Sequence, residues 1–251
     1  MSEKKGQKSW ELIKGKIAKS IASILPKAVT YQIVDAQKDK TVYQNISFSQ
    51  EGEDMLLSSL IDISKSGFYI DIGAHHPTRL SNTHKLYLAG WRGINIDPTP
   101  GVMIAFNEIR KRDINLEMAI SNHTQKLVFF LFDEPALNTF DKQKAEAVIK
   151  GSNFKIIDQK ELDTVELKVI LNKYVPKGQG IDFMNIDVEN LELEVLKSND
   201  WEKFKPKLLL IENIQTTLQD VLNSAITRYL TELGYTPIAK GLRTVFYRLN
   251  V

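Results

Sequence analysis

The chain has 251 residues, a formal charge of +2, 43% hydrophobic and 25% charged residues; these ordinary values exclude disordered and fibrous classes, and so small a charge gives no support to nucleic-acid binding. Cysteine is absent, which excludes disulfides and thiolate metal sites and leaves His, Asp, Glu and Asn as metal ligands, a set that favours hard cations over zinc. The length accommodates one large α/β domain behind an N-terminal piece. No run reaches membrane-spanning length, and the first residues lack the apolar core and cleavage site of a signal peptide, so a cytoplasmic location is expected.

Residues 1–47 form the N-terminal piece. Within 4–27, seven lysines surround Trp10, Ile13, Ile17, Ile21 and Ile24 at helical spacing, and Pro26 ends the pattern. Two readings stand: a helix lying on an anionic membrane surface at the inner face, or one packed on the domain or on a second subunit of a homo-oligomer. Residues 28–47 read as a connector.

The catalytic domain is expected over 48–251. A polar cluster followed by Met55, Leu56, Leu57, Leu60 and Ile61 predicts a helix over 47–64, with Gln50, Glu53 and Asp54 at its start. FYIDIGAHHP, 68–77, then reads as a parallel strand, buried on both faces, that hands over to a ligand loop. Asp71 near its end is costly to bury unless it meets donors, and Gly73 permits a sharp turn and close backbone approach. A short helix over 81–89 closes at Gly90, and Trp91 is a packing anchor. GINIDP ends in Asp97, twenty-six positions after Asp71, a suitable offset for the ribose-holding carboxylate of a nucleotide-binding unit.

A helix over 101–111 and a third strand over 114–121 come next, with a fourth over 126–132. The polar stretch 133–153 carries a short helix at 142–149, and an inserted loop of this kind sets specificity. A strand or short helix begins at 165. Strands ending in Asp187 and in Glu212–Asn213 repeat the pattern of an apolar run closed by an acid. A helix over 218–233 and a hairpin turning near Lys240 and Gly241 finish the chain. The sum is a doubly wound, mostly parallel seven-stranded Rossmann-like sheet with an antiparallel C-terminal hairpin. His84 and His123 read as solvated surface residues.

Six segments in this order, SQEGED (49–54), FYIDIGAHHP, SNT (81–83), GWRGINIDPTP (90–100), LNTF (137–140) and IDFMNIDVENLELEVLKSNDW (181–201), resemble the FkbM-type family of class I S-adenosylmethionine-dependent methyltransferases. The resemblance covers about 49–251. It implies an O-methyltransferase acting on a sugar hydroxyl of a surface glycan or natural product, with S-adenosylmethionine as cofactor and a carbohydrate as partner. It also implies that Asp71 and Gly73 line the methionine and ribose side, that Asp97 takes the ribose hydroxyls, that Ser121 lies near the adenine, and that Gln50 and Glu53 reach in from the preceding helix. Two departures stand out: Gly73 is followed by Ala74, His75, His76 and Pro77 without a second glycine, and Asn190 occupies a usual glycine position.

Methyl transfer to oxygen needs a way to remove the acceptor's proton, and two routes are open. His75 or His76 has the pKa of a general base. Alternatively Asp187, with Glu212 and Asn213 at the adjacent strand end, holds Mg²⁺ or Mn²⁺, an arrangement similar to the magnesium site of catechol O-methyltransferase-like enzymes. Against methylation of amino groups in nucleic acid or protein, the stretch after the fourth core strand reads Asp187, Val188, Glu189, Asn190 and lacks the paired prolines and aromatic that chemistry uses. A nicotinamide dehydrogenase is disfavoured because no pyrophosphate-cradling glycine fingerprint is present. Intact Asp71, Gly73, Asp97 and Asp187 speak against an inactive binding scaffold.

Overall fold

A computed structural model describes residues 45–250; the amphipathic helix expected over 4–27 and the connector up to 44 lie outside them. Residues from Ile46 onward belong to one unit and Met1–Asn45 to another.

The first helix, α1 (Glu53–Leu60), is shorter than the expected 47–64. Residues 47–52 are diverted because the buried Asp54 carboxylate accepts hydrogen bonds from the Ser47 hydroxyl (2.6 Å), the Ser49 hydroxyl (3.0 Å) and the Phe48 amide (2.8 Å). This side chain competes with the helical ladder for the preceding turn. The fully buried β1 (Phe68–Ile72) follows, then α2 (His84–Leu88), β2 (Arg92–Asp97), α3 (Val102–Ile109) and β3 (Ile114–Glu117). β1, β2 and β3 are mutually parallel neighbours.

The single strand expected over 114–121 is two. At Met118 the amide donates to the Asp97 carbonyl (3.1 Å) and the chain leaves the sheet, and β4 (Ala119–Ile120) joins a second one. That three-stranded sheet also holds β5 (Lys126–Phe132), expected in the main sheet, and β6 (Ile156–Val165), which the sequence did not suggest. Between β5 and β6 lie a 3₁₀ turn (Pro135–Leu137) and α4 (Lys142–Gly151), whose first turn is capped by Asp141.

The chain returns through α5 (Leu167–Tyr174) to β7 (Phe183–Ile186), α6 (Glu192–Lys197) and β8 (Leu208–Glu212). The helix expected over 218–233 is broken into α7 (Leu218–Asn223) and α8 (Ala225–Glu232), because Ser224 takes extended angles and its hydroxyl caps the second piece through the Thr227 amide. β9 (Tyr235–Lys240) and β10 (Thr244–Leu249) form the terminal hairpin. The main sheet has seven strands in the order β3-β2-β1-β7-β8-β10-β9, and β10 alone runs against the rest.

Alternation along the strands divides the core. Phe68, Ile70 and Ile72 of β1 with Leu209 and Ile211 of β8 meet α5, α6 and α8; Tyr69, Leu208 and Leu210 face the other way onto Leu57, Leu86 and Trp91. Side chains two apart share a face, so a strand buried on both sides reads as a continuous apolar run. Trp91 is the packing anchor expected, with its indole N–H on the Ile63 carbonyl. His84 corrects the surface reading: it is buried edge-on against Phe48, and burial with nearby Arg110 pushes its pKa down to about 4. Among the described residues no helix is long and apolar enough to cross a membrane.

Candidate active site

The C-terminal ends of β1, β2, β7 and β8 converge on a cavity of about 330 Å³, at the crevice where open α/β sheets bind ligands. Its position depends on Gly73. That residue has φ +78°, its amide and that of Ala74 both donate to the Ile96 carbonyl (2.9 and 3.1 Å), and a Cβ would lie 1.7 Å from the Asp187 carbonyl oxygen. No other residue type fits between the two strand ends. His75 follows, also left-handed at φ +53°. Its amide donates to Asp97 Oδ2 (2.8 Å), while Thr99 N–H reaches Oδ1 (2.8 Å), so the Asp97 carboxylate ties the loop after β1 to the loop after β2 and still lines the cavity.

Asp71 is buried and satisfied from inside. Its Oδ2 accepts from the Thr83 hydroxyl (2.5 Å) and its Oδ1 from the Asn185 amide (2.9 Å). Burial pushes its pKa up, against the pull of Thr83, Arg110 and Asn185. Arg110 has no exposed surface: its guanidinium donates to the Pro77 carbonyl (2.8 Å), the Tyr69 hydroxyl (3.1 Å), and the hydroxyls of Thr83 (2.8 Å) and Ser81 (2.7 Å). Asn82 donates to Asn185 Oδ1 (3.1 Å). The SNT segment is therefore an internal clamp that fixes the loop above β1. Sequence reasoning missed Arg110, which at a helix end looks like surface charge. Asn185 did leave a signal, as an amide in the middle of an apolar strand.

The cavity's apolar wall comes from Ile96, Met118, Ile120, Phe129, Leu137 and Phe140, and so draws on the second sheet. Two polar links hold that sheet in place: Asn138 accepts from the Phe132 amide and donates to the Thr99 hydroxyl (3.2 Å), and Arg79 pairs with both carboxylate oxygens of Glu134 (3.0 and 3.1 Å).

Of the residues expected in the site, Gln50, Asp71, Gly73, His75, Asp97, Asp187 and Glu212 line this cavity. Four do not. Glu53 is buried, receiving the Glu51 amide (2.8 Å). Ser121 accepts from the Gln125 amide (3.1 Å), and Met118 and Ile120 face the cavity instead. His76 Nδ1 accepts the amides of Thr78 (3.1 Å) and Arg79 (2.9 Å), which makes the ring a turn cap. Asn213 donates to Ser224 (3.1 Å) and to the Tyr247 hydroxyl (3.0 Å), and lines a second cavity of about 240 Å³ together with Glu192 and Glu212.

Carboxylate oxygens of Asp187, Glu192 and Glu212 all lie within 4.8 Å of one another. Burial and the facing carboxylates Glu212 and Glu192 push the Asp187 pKa well up; burial, then Glu192, also raises that of Glu212. Burial also raises Glu192, countered by the amides of Val188 and Asn190. Those amides belong to a tight loop with Glu189 at φ +58° and Asn190 at φ +78°, so asparagine takes here the left-handed angle a glycine would supply. His75, in contrast, has its pKa lowered, chiefly by burial.

Among solved structures the chain resembles one from Pyrococcus horikoshii described as a "putative RNA methyltransferase", at 10% identity and a TM-score of 0.41, over 87% of this chain and 96% of that one. No curated protein matches. The model of the methyltransferase FkbM domain matches residues 71–237, more than half of the chain and the part that carries Asp71, Gly73, Asp97, Asp187 and Glu212, and the protein therefore belongs to the FkbM methyltransferase family.

Proposed function

We propose that this methyltransferase uses S-adenosylmethionine to methylate a hydroxyl of a sugar or glycan. The observation that carries the reading is Asp97: a buried carboxylate at the end of β2, anchored by two backbone amides and facing a cavity of about 330 Å³, within the size range of small-molecule sites. The residues present fit the cofactor. Asp97 can accept from both ribose hydroxyls, Met118, Ile120, Phe129 and Phe140 offer an apolar wall for a purine, and Gly73 brings the loop backbone close to the Asp187 carbonyl at the cavity wall. When bound, S-adenosylmethionine supplies a methyl group on a sulfonium.

The chain's own part is to position the acceptor oxygen and remove its proton. His75 lines the cavity, and its lowered pKa keeps the ring neutral near pH 7, able to accept that proton. His76 is committed to its turn. The segment 135–140 and the loop after β1 line the cavity, so both would face an acceptor that enters it.

Calorimetry with purified protein tests the cofactor: binding of S-adenosylmethionine or its demethylated product should weaken by about tenfold or more in Asp97→Ala, the loss expected for hydrogen bonds to a charged group. Equal affinity removes Asp97 from the site. A gain of one methyl on a glycan, compared between cells with and without the protein, tests the acceptor; methylated nucleic acid with unmodified glycans refutes the sugar assignment.

A further inference from the structure

Three carboxylates from three separate elements meet beside the cavity, and the local hydrogen bonding does not account for them. Asp187 follows β7, Glu192 opens α6 and Glu212 ends β8, and their oxygens are mutually within 4.8 Å. Lys144 and Arg243 lie near enough to favour the charged carboxylates, but their ion pairs are with Glu189 and Glu51 and not with these three acids. Glu192 spends one oxygen on the amides of Val188 (3.1 Å) and Asn190 (3.2 Å).

Glu212 supplies an independent observation. It is 6% exposed, and its Oε2 is buried with no hydrogen-bond partner. The rest of β8 is Leu208 to Ile211, so packing alone would be served by another aliphatic side chain. A buried carboxylate oxygen without a donor is costly unless something absent from the chain itself meets it. Glu212 also lines both cavities, the one of about 330 Å³ and the one of about 240 Å³, and so forms part of the wall they share.

We propose that Asp187, Glu192 and Glu212 bind one divalent cation of the hard, oxygen-seeking kind, Mg²⁺ or Mn²⁺. All three donors are carboxylates and no imidazole or thiolate joins them, the donor set of those ions rather than of zinc or copper. The set shares Asp187 and Glu212 with the one expected at the strand ends and adds Glu192; the Asn213 amide hydrogens go to Ser224 and Tyr247. Three protein ligands leave coordination positions for water and for an acceptor hydroxyl. The cation lowers that hydroxyl's pKa and holds its oxygen at the edge of the cavity while the proton passes to His75 or to water. This catalytic role rests on the methyltransferase reading above; binding of the cation does not.

The test is a titration of the purified full-length chain with Mn²⁺, followed by loss of the free-ion electron paramagnetic resonance signal, with Mg²⁺ as competitor. Saturable binding of one Mn²⁺ per chain, weakened about tenfold or more in both Glu212→Gln and Glu192→Gln but unchanged in the surface variant Glu202→Gln, is expected. Thermal melts and affinity for the demethylated cofactor, measured on the same samples, show that each variant is folded. Absence of saturable binding, or unchanged affinity in either ligand variant, overturns the proposal. The two readings fail separately: methyl transfer that persists under a chelator sinks the cation's catalytic role and spares the methyltransferase, whereas Mn²⁺ binding without any cofactor binding does the reverse.

Discussion

Replacing Arg110 by methionine would test whether the clamp above β1 holds the site together. The guanidinium is fully buried and makes four hydrogen bonds of 2.7 to 3.1 Å, to Pro77, Tyr69, Thr83 and Ser81. Through Thr83 it supports Asp71, and through Tyr69 it supports Asp113, whose carboxylate also receives the Tyr69 hydroxyl. Methionine fills much of the space but leaves the buried Asp71 and the half-buried Asp113 without their nearby cation, a change that costs about 3–5 kcal/mol. For a domain of this size that is a fall of roughly 10 °C in Tm.

The pH dependence carries the sharper test. Burial already raises the pKa of Asp71 and of Asp113, and Arg110 opposes the rise in both. Without Arg110 both carboxyls rise further. An acid whose folded pKa lies above its unfolded value destabilises the fold while ionised, and that cost disappears as pH falls through the folded pKa. The gap in stability between the two proteins should therefore narrow as pH falls through the raised folded pKa of these carboxyls, in urea unfolding followed by tryptophan fluorescence. A loss below about 1 kcal/mol, or a gap that widens in acid, would refute the assignment of Arg110 as the buried countercharge.

Gly73→Ala should cost more than the roughly 1–2 kcal/mol of a left-handed alanine, because the new Cβ would stand 1.7 Å from the Asp187 carbonyl oxygen; unfolding and cofactor calorimetry both report it, and an unchanged protein would contradict the strand-end geometry. His75→Ala should lower kcat by about 10²–10⁴ and remove the ascending limb of the pH–rate profile, which in the native enzyme should lie below 6.5 because burial lowers the pKa of this ring; a limb kept in the variant assigns the base elsewhere. Asn213→Ala should leave Mn²⁺ affinity unchanged yet cost about 1–2 kcal/mol of stability, since its amide serves Ser224 and Tyr247; weakened Mn²⁺ binding would restore it to the ligand set.

The main sheet was legible because strands covered on both faces are apolar at nearly every position, and turns at Gly73, Gly90 and Gly234 punctuate them. The second sheet was not. β6 reads IIDQKELDTV and is exposed along most of its length, so no period-two apolar signal marks it. The break at Met118 has neither glycine nor proline to announce it; the chain leaves because β2's end offers a carbonyl and β6 offers a partner. In the site, residues at strand ends could be found by position, and Asp71, Asp97, Asp187 and Glu212 all line the cavity. Glu192, on the first turn of the following helix, reads as an ordinary acid suited to the helix dipole. Only the tight loop at Glu189 and Asn190 turns it back toward Asp187 and Glu212.

The cavity is walled by two sheets of unequal resilience. β1, β7 and β8 are buried along their whole length, whereas the start of β5 and most of β6 face solvent. The exposed links between them, such as Arg79 with Glu134, are of the kind worth little in water. Amide protons of β6 and of the start of β5 should then exchange through small local openings, while those of β1 and β7 wait for the whole fold to come apart. The enzyme can thus breathe open at its apolar wall for entry and release of ligand without disturbing the strand ends that carry its charges.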